Sequence, residues 1–463
     1  MRVVLLEPEP RDFASAVAYV LARYSRSSAP LGKLWEELSG EPEKAAERLA
    51  RIFHGYGHDS VAGMAHTAVA LEDISLLDSL RFFYVNPYGD GQERSTRYQT
   101  EFEPYEEEDL PQAYGRAYRE LVSALLDMYR QSVPRYIERL RHVFPPQDPT
   151  QEKTLQLRAL DCARYLLPLG VRTSLGQVQS ARAWRDYLKY LSALPEQHSQ
   201  KLQQVLARRL AESGIRLLVR HCTPPTVTPL KIRTQWRSEK RPLVADVPTP
   251  EVALVEQVLA LTEVAAHPVW LHREVEVVRQ VGAYLTQFDH HNYCRWGNTG
   301  AIRLRGYADL GTVKDLNRHR SLEKFMPFLE PGYNLAADLQ RSQPYERPPY
   351  EVIAEDFDLD THYQCVRQFY RDYAGEAPSP ADHQFYTKLL LPQAHRVAYT
   401  VYGSPADLVY VIRLRHRPGG HQRYRQEVSA WARALAERST LWEPLAALCG
   451  TAVEDQQSFY SRG

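Results

Sequence analysis

The stretch GHDSVAGMAHTAVALEDISLLDSLRFFYVNPYGDGQERSTRY, residues 57–98, sets a polar turn, a strand, a helix and a charged loop side by side. Gly57-His58-Asp59-Ser60 puts a histidine and a hydroxyl beside a flexible glycine, which suits a loop that closes on a ligand. Alternation over residues 66–71 predicts a strand, and residues 74–83 predict a short apolar helix. The turn-rich Asn86-Pro87-Tyr88-Gly89-Asp90-Gly91 then leads into a loop, Gln92-Glu93-Arg94-Ser95-Thr96-Arg97-Tyr98. That loop crowds together an amide, a carboxylate, hydroxyls and guanidiniums, the groups that hold a phosphorylated, hydrogen-bonding small molecule.

Upstream, residues 12–23 have helical periodicity and end at Ser25, a position where a serine caps backbone groups. Residues 31–53 read as two charged helices. His54 and His58 share a helical spacing, but Gly55 and Gly57 break that helix and no carboxylate is in register, so no metal is expected. Downstream, residues 111–142 predict a long amphipathic helix on the outside of the domain, interrupted only by Pro134. Residues 161–169, DCARYLLPL, precede a further predicted helix over 173–191 that carries Ser180-Ala181-Arg182. Residues 221–249 are proline-rich and read as an extended linker, where the domain boundary is placed. Beyond it, His290-His291-x-x-Cys294 lacks a fourth ligand and reads as a turn. Residues 302–308 alternate as a strand, and 309–320 read as a helix ending in Arg318-His319-Arg320.

The two halves can be laid on each other. Glu72, Asp78 and Arg81 align with Asp309, Asp315 and Arg318; Leu166-Leu167-Pro168 aligns with Leu390-Leu391-Pro392. The second match carries Arg164 onto Lys388, Ser180 onto Ser404 and Leu191 onto Arg415.

The turn, the strand–helix unit and Glu93-x-Ser95-x-Arg97-Tyr98 resemble the flavin-dependent thymidylate synthase family. The resemblance implies an α/β (α+β) fold with two tandem thymidylate-synthase-complementing-like repeats, residues 1–230 and 231–463, each a small antiparallel or mixed sheet with packed helices. It implies a methyltransferase that converts dUMP to dTMP with methylenetetrahydrofolate and NADPH through bound FAD. By the same resemblance Ser25, His58, Ser60, Arg182, Arg318, His319 and Arg320 would meet the cofactors. Arg81, Gln92, Glu93, Ser95, Arg97, Arg164 and Lys388 would hold the nucleotide, and Arg415 would donate to the uracil ring as the catalytic group. The departures are Gly63 for an acidic residue, Ser180 for an asparagine, and Leu191 where the uracil-binding arginine belongs. The first half keeps the His58 turn and the Glu93 loop, while the second keeps Arg318-His319-Arg320 and Arg415. The two are expected to fold together so that the leading loop faces cations of the trailing half, in a homodimer that imitates the family's tetramer. Two other classes stay open: a lapsed nucleotide- or flavin-binding relative, and a flavoenzyme acting on another pyrimidine, in RNA for example.

Whole-chain properties bound these readings. The 463 residues exceed one ordinary core, and 57 basic against 57 acidic residues give no electrostatic case for DNA or membrane. The 29 tyrosines are spread along the chain rather than gathered into a base-stacking surface. Five cysteines carry no Cys-x-x-Cys pair, and no apolar run spans a bilayer, so a cytoplasmic protein is expected.

Overall fold

The structure, a computed structural model, describes residues 1–6, 13–25, 27–39, 62–86, 89–97, 99–107, 109–213, 251–254, 302–347, 358–418, 421–438, 442–449 and 455–460. The expected linker at 221–249 and the polar string at 290–294 lie outside them.

The leading half contains β1 (Arg2–Leu6), α1 (Phe13–Tyr24), α2 (Leu31–Ser39), β2 (His66–Ser75), α3 (Leu76–Val85) and β3 (Asp90–Glu93). It continues through α4 (Gln112–Val143), α5 (Pro149–Ala163), β4 (Arg172–Ser180), α6 (Ala181–Ala193) and α7 (Gln197–Ala211). The trailing half has β5 (Glu251–Leu254), β6 (Ile302–Asp309), α8 (Leu310–Leu316), β7 (Glu323–Phe325) and α9 (Leu335–Leu339). It ends with α10 (Leu359–Asp372), α11 (Pro380–Leu389), β8 (Arg396–Gly403), α12 (Pro405–Arg415), α13 (Gln422–Arg438) and two short helices. The fold is α+β, with two four-stranded antiparallel sheets ordered β1-β2-β4-β3 and β5-β6-β8-β7, one strand order used twice.

Local chemistry sets several boundaries differently from the sequence reading. Strand β2 runs on to Ser75 because a bulge between Leu71 and Ile74, with Asp73 at φ 55°, absorbs an extra residue. Helix α3 then starts at a capping box in which Ser75 and Asp78 bond each other's backbone N–H groups. Residues 173–180, expected to be helical, belong to β4: Thr173, Leu175, Gln177 and Gln179 turn inward while Val178 is exposed. Gln92 and Glu93 lie in β3 rather than in a loop. Helix α4 continues through Pro134, and it does not lie on the outside: Tyr114, Tyr118 and Tyr136 are fully buried, and the Tyr114 hydroxyl is 3.0 Å from His383 Nδ1 of the trailing half.

The halves meet about a local two-fold relation. Pro168 bridges Pro392; Leu169 N–H donates to Leu391 O (2.9 Å) and Gln393 N–H to Leu167 O (2.9 Å). Gly170 N–H donates to Leu389 O (2.8 Å) and Ala394 N–H to Tyr165 O (3.0 Å), completing the reciprocal set. Within the halves, Leu76 and Leu77 donate to Val171 and Leu169, just as Leu310 and Gly311 donate to His395 and Gln393. These bonds pair Ser75 with Asp309, the N-caps of α3 and α8, and therefore pair Arg81 with Asp315. The expected match of Arg81 with Arg318 is corrected, because the helix caps, not the side-chain similarity, fix the register. Ser180 and Ser404 do coincide, each capping the helix after its strand.

One buried core runs through both halves and includes Tyr118, Tyr165, Leu310, Phe385 and Trp431. A second, around Val69, Leu71, Phe82, Trp184 and Leu202, belongs to the leading sheet. The shared core makes the seam an interior, so polar groups caught there must find partners.

Candidate functional site

Strand β3 and the turn after it bring Glu93 to the seam opposite α8. The Glu93 carboxylate, 3% exposed, lies 3.3 Å from Lys314 Nζ, which also donates to Thr96 Oγ1 (3.3 Å). Every residue of α8 is buried, so Lys314 is an ammonium set into an apolar helix. Burial pulls its pKa down, against the opposing pull of Glu93. Arg97 grips Asp161 with two bonds of 2.6 and 2.5 Å. Arg164, 1% exposed, donates to Asp315 Oδ2 (3.0 Å) and lies 3.6 Å from Asp161. His421 Nδ1 is 3.2 Å from Asp315, and its Nε2 is 2.7 Å from the Tyr165 hydroxyl.

Burial alone would raise the Asp315 carboxyl, but Arg164 and His421 outweigh it and hold the group well below the usual carboxylate range. Asp161 is likewise lowered, by Arg97 and Arg164 against burial. Burial and Arg164 lower His421, which is neutral at pH 7. The cluster therefore balances Arg97, Arg164 and Lys314 against Glu93, Asp161 and Asp315.

Beside it, Arg318-His319-Arg320 follows the end of α8. His319 is buried, and burial together with Arg415 pushes it down to about 3, so its neutral ring accepts from Arg415 Nε at 2.7 Å. The Arg415 guanidinium also lies over the Tyr424 ring, 5.4 Å from its centroid. Arg320 pairs with Asp90 at 2.5 Å and donates to Gly89 O, so the trailing half grips the turn that opens β3. Arg318 is exposed.

The expected site residues divide into groups. Glu93, Arg164 and Arg320 make contacts across the seam and Arg97 joins them through Asp161, while His319 and Arg415 meet each other within the trailing half. Gln92 is exposed on β3, and the Ser95 hydroxyl accepts from Arg97 N–H at 3.2 Å. Arg182 is exposed in the first turn of α6, and Ser25 is exposed after α1, where its hydroxyl donates to Ala22 O at 2.9 Å. His58, Ser60 and Tyr98 lie outside the described residues.

Arg81 and Lys388 are held elsewhere. Arg81 donates to Glu196 at 2.6 Å and to Ser199 at 3.4 Å, and lies 5.4 Å from the centroid of the Phe385 ring. Lys388 Nζ donates to Phe328 O (2.6 Å) beside the Phe328 and Tyr333 rings, and burial lowers its pKa to about 7. Sequence reading missed Lys314, Asp161, Asp315 and His421. Two signals for them were in the chain: a Lys-Asp pair inside the apolar LGTVKDL, and an aspartate one helical turn before Arg164. Among the described residues no helix is long and apolar enough to cross a membrane.

Residues 7–216 match the family described as thymidylate synthase complementing protein. Among curated proteins, a UPF0159 protein of Chlamydia pneumoniae is 21% identical over 442 residues, covering 87% of this chain and 80% of that protein. One from Chlamydia muridarum is 22% identical over 83% of this chain and 77% of its own, and one from Thermoplasma acidophilum is 24% identical over 41% and 45%. Among solved structures, thymidylate synthase X from Helicobacter pylori with FAD and dUMP is 16% identical at a TM-score of 0.29, covering 48% of this chain and 99% of that one. Over residues 7–216, then, this chain is similar to the thymidylate synthase complementing proteins.

Proposed function

We propose that the chain is a cytoplasmic flavin-dependent thymidylate synthase-type enzyme built as a fused pair of repeats, residues 1–230 and 231–463, with its working site at their seam. The reaction is methyl transfer to the uracil of dUMP from methylenetetrahydrofolate, with NADPH as reductant. The observation that carries this reading is the meeting of Glu93 and Thr96 of one half with Lys314 of the other, beside Arg97 and Arg164.

Ser95, Arg97 and Arg164 bind the nucleotide phosphate, and Gln92 and Glu93 orient the sugar. Arg415 is the catalytic donor to the uracil carbonyl; neutral His319, accepting from its Nε, positions it. A fixed guanidinium aimed at the developing charge lowers the barrier by roughly 3–4 kcal/mol, by analogy with oxyanion donors. The donor set suits FAD: exposed guanidiniums such as those of Arg318 and Arg182, with that of Arg320, are chemistry for a pyrophosphate, with Ser25, His58 and Ser60 as further contacts. Bound FAD would pass reducing power from NADPH to the transferred carbon. Arg81 and Lys388, engaged by Glu196 and Phe328 O, take a structural part. A homodimer of such fused pairs imitates a tetramer of single repeats.

A second reading, a lapsed nucleotide- or flavin-binding relative, is favoured by one observation. Asp161 and Asp315 already neutralise Arg97 and Arg164, so a phosphate must displace carboxylates to reach them. Turnover of dUMP with methylenetetrahydrofolate, NADPH and FAD separates the two. Activity is expected in the wild type and a loss of several hundredfold in Arg415→Ala with the fold intact by circular dichroism. A wild type that takes up FAD or dUMP without turnover leaves the lapsed reading; undiminished activity of the variant removes Arg415 from the chemistry.

A further inference from the structure

Gln177 and Gln179 on β4 are 2% and 0% exposed, and both polar atoms of each amide lack a hydrogen-bond partner. Buried amides are nearly always satisfied, so four orphaned atoms side by side point to a missing partner. Both side chains stand on the inward face of the leading sheet, where Gln179 is opposite Thr67 of β2 and Gln177 is opposite Gly91 of β3. They reach across the glycines. A Cβ at Gly91 would come within 1.9 Å of Gln177 Oε1, and one at Gly89 within 1.9 Å of Gln177 Nε2 and 2.6 Å of Gln179 Oε1. Glycine at 89 and 91 thus keeps a strip free of side chains, and the far ends of two flexible glutamines lie in it.

At one end of this strip Arg320 of the trailing half holds Gly89 O and Asp90; at the other Glu93 meets Lys314. The two-fold related positions in the trailing sheet are Val401 and Gly403, which offer no amide. The amide pair is therefore a property of one half and borders the seam.

We propose that Gln177 and Gln179 form a recognition site for the imide edge of a flat heterocycle, a carbonyl–NH–carbonyl array. Two side-chain amides two residues apart on a strand supply the matching donors and acceptor, and the glycine strip gives the ring a surface to lie on. The bound ring takes the space the amides now fill, and the amides turn to its edge. A uracil base and an isoalloxazine ring share this chemistry. The inference rests on the pyrimidine and flavin reading above for its ligand class, though not on catalysis.

Calorimetric titration of the full chain with dUMP, with FAD and with dCMP tests it, alongside thermal unfolding of the unliganded protein. The expected result is wild-type binding of at least one imide ligand, at least about tenfold weaker binding by Gln177→Met and by Gln179→Met, and no binding by the double variant. The unliganded double variant should unfold no lower than the wild type, since a thioether needs no partner. Loss confined to dUMP, with dCMP already weak, identifies the base; loss confined to FAD identifies the flavin ring. Wild-type affinity within about twofold in the double variant overturns the site, as does a marked drop in its unfolding temperature or a wild type that binds neither dUMP nor FAD. Glutamine-dependent binding without turnover leaves this site standing while the methyl-transfer reading falls; turnover with glutamine-independent binding does the reverse.

Discussion

Two clusters related by the local two-fold hold different chemistry on one scaffold. Where the seam cluster has Asp161, Arg164 and Asp315, the related positions are Phe385, Lys388 and Arg81. On the first side guanidiniums meet carboxylates, and a further cation and anion, Lys314 and Glu93, join across the halves. On the second, Arg81 lies against an aromatic ring with Glu196 as its counterion, and Lys388 carries no carboxylate bond. The backbone bonds that relate the two are reciprocal, so the difference lies in side chains alone. A fold that joins two equal halves can leave one position to chemistry and give its relative to packing.

That contrast can be broken at Asp315. Asp315→Ala leaves the buried Arg164 guanidinium only its longer contact with Asp161, at 3.6 Å, and should cost about 3–5 kcal/mol in urea unfolding, with most of it restored by adding Arg164→Met. A loss under about 1 kcal/mol would mean that the seam does not hold the halves together.

The second side is sharpened by pH. His198 sits between Asp78, at 2.9 Å, and Glu107; burial opposes its charge, yet the two carboxylates raise it from 6.5 to about 9. The folded value exceeds the unfolded one, so this stability is complete below pH 6.5 and is lost as pH rises through about 9, by roughly 3 kcal/mol. Urea midpoints at pH 6, 7.5 and 9 should fall in the wild type and flatten in His198→Gln; equal slopes would remove His198 as their source.

The smallest effect belongs to Lys388. Its folded pKa, lowered by burial from 10.5 to about 7, means that the unfolded chain binds the extra proton between those values, so this residue adds stability as pH rises. Lys388→Met should raise the unfolding free energy at pH 7 by about 1 kcal/mol, and with it the urea midpoint, and steepen the alkaline decline, because the opposing contribution is gone. A lower midpoint would show that its bond to Phe328 O outweighs the burial of its charge.

The strand at 302–308, the helix over 12–23 and the matched Leu-Leu-Pro segments were legible because each depends on local pattern. Residues 173–180 were misread as helix: the polar Gln177 and Gln179 sit on the inward face and hide the alternation that marks a strand. The three-residue slip around Arg81 had a similar cause, since matching charges drew the alignment away from Ser75 and Asp309, the caps that place the helices. At the seam, Glu93 and Arg97 could be read from motif-like spacing. Lys314, Asp161 and Asp315 could not, because a charge in an apolar helix shows its purpose only once its counterion from another element is known.

The sequence by itself determined the locally patterned elements, such as the strand at 302–308 and the helix over 12–23, and the division of basic residues between two halves, since these depend on neighbours along the chain. Only the tertiary structure decided that Lys314 meets Glu93, that Arg164 is answered by Asp315, and that Gln177 and Gln179 are left without partners. Those outcomes depend on which groups are brought together away from water, where an ion needs a counterion and an amide a partner, and nothing in the order of residues states that distance.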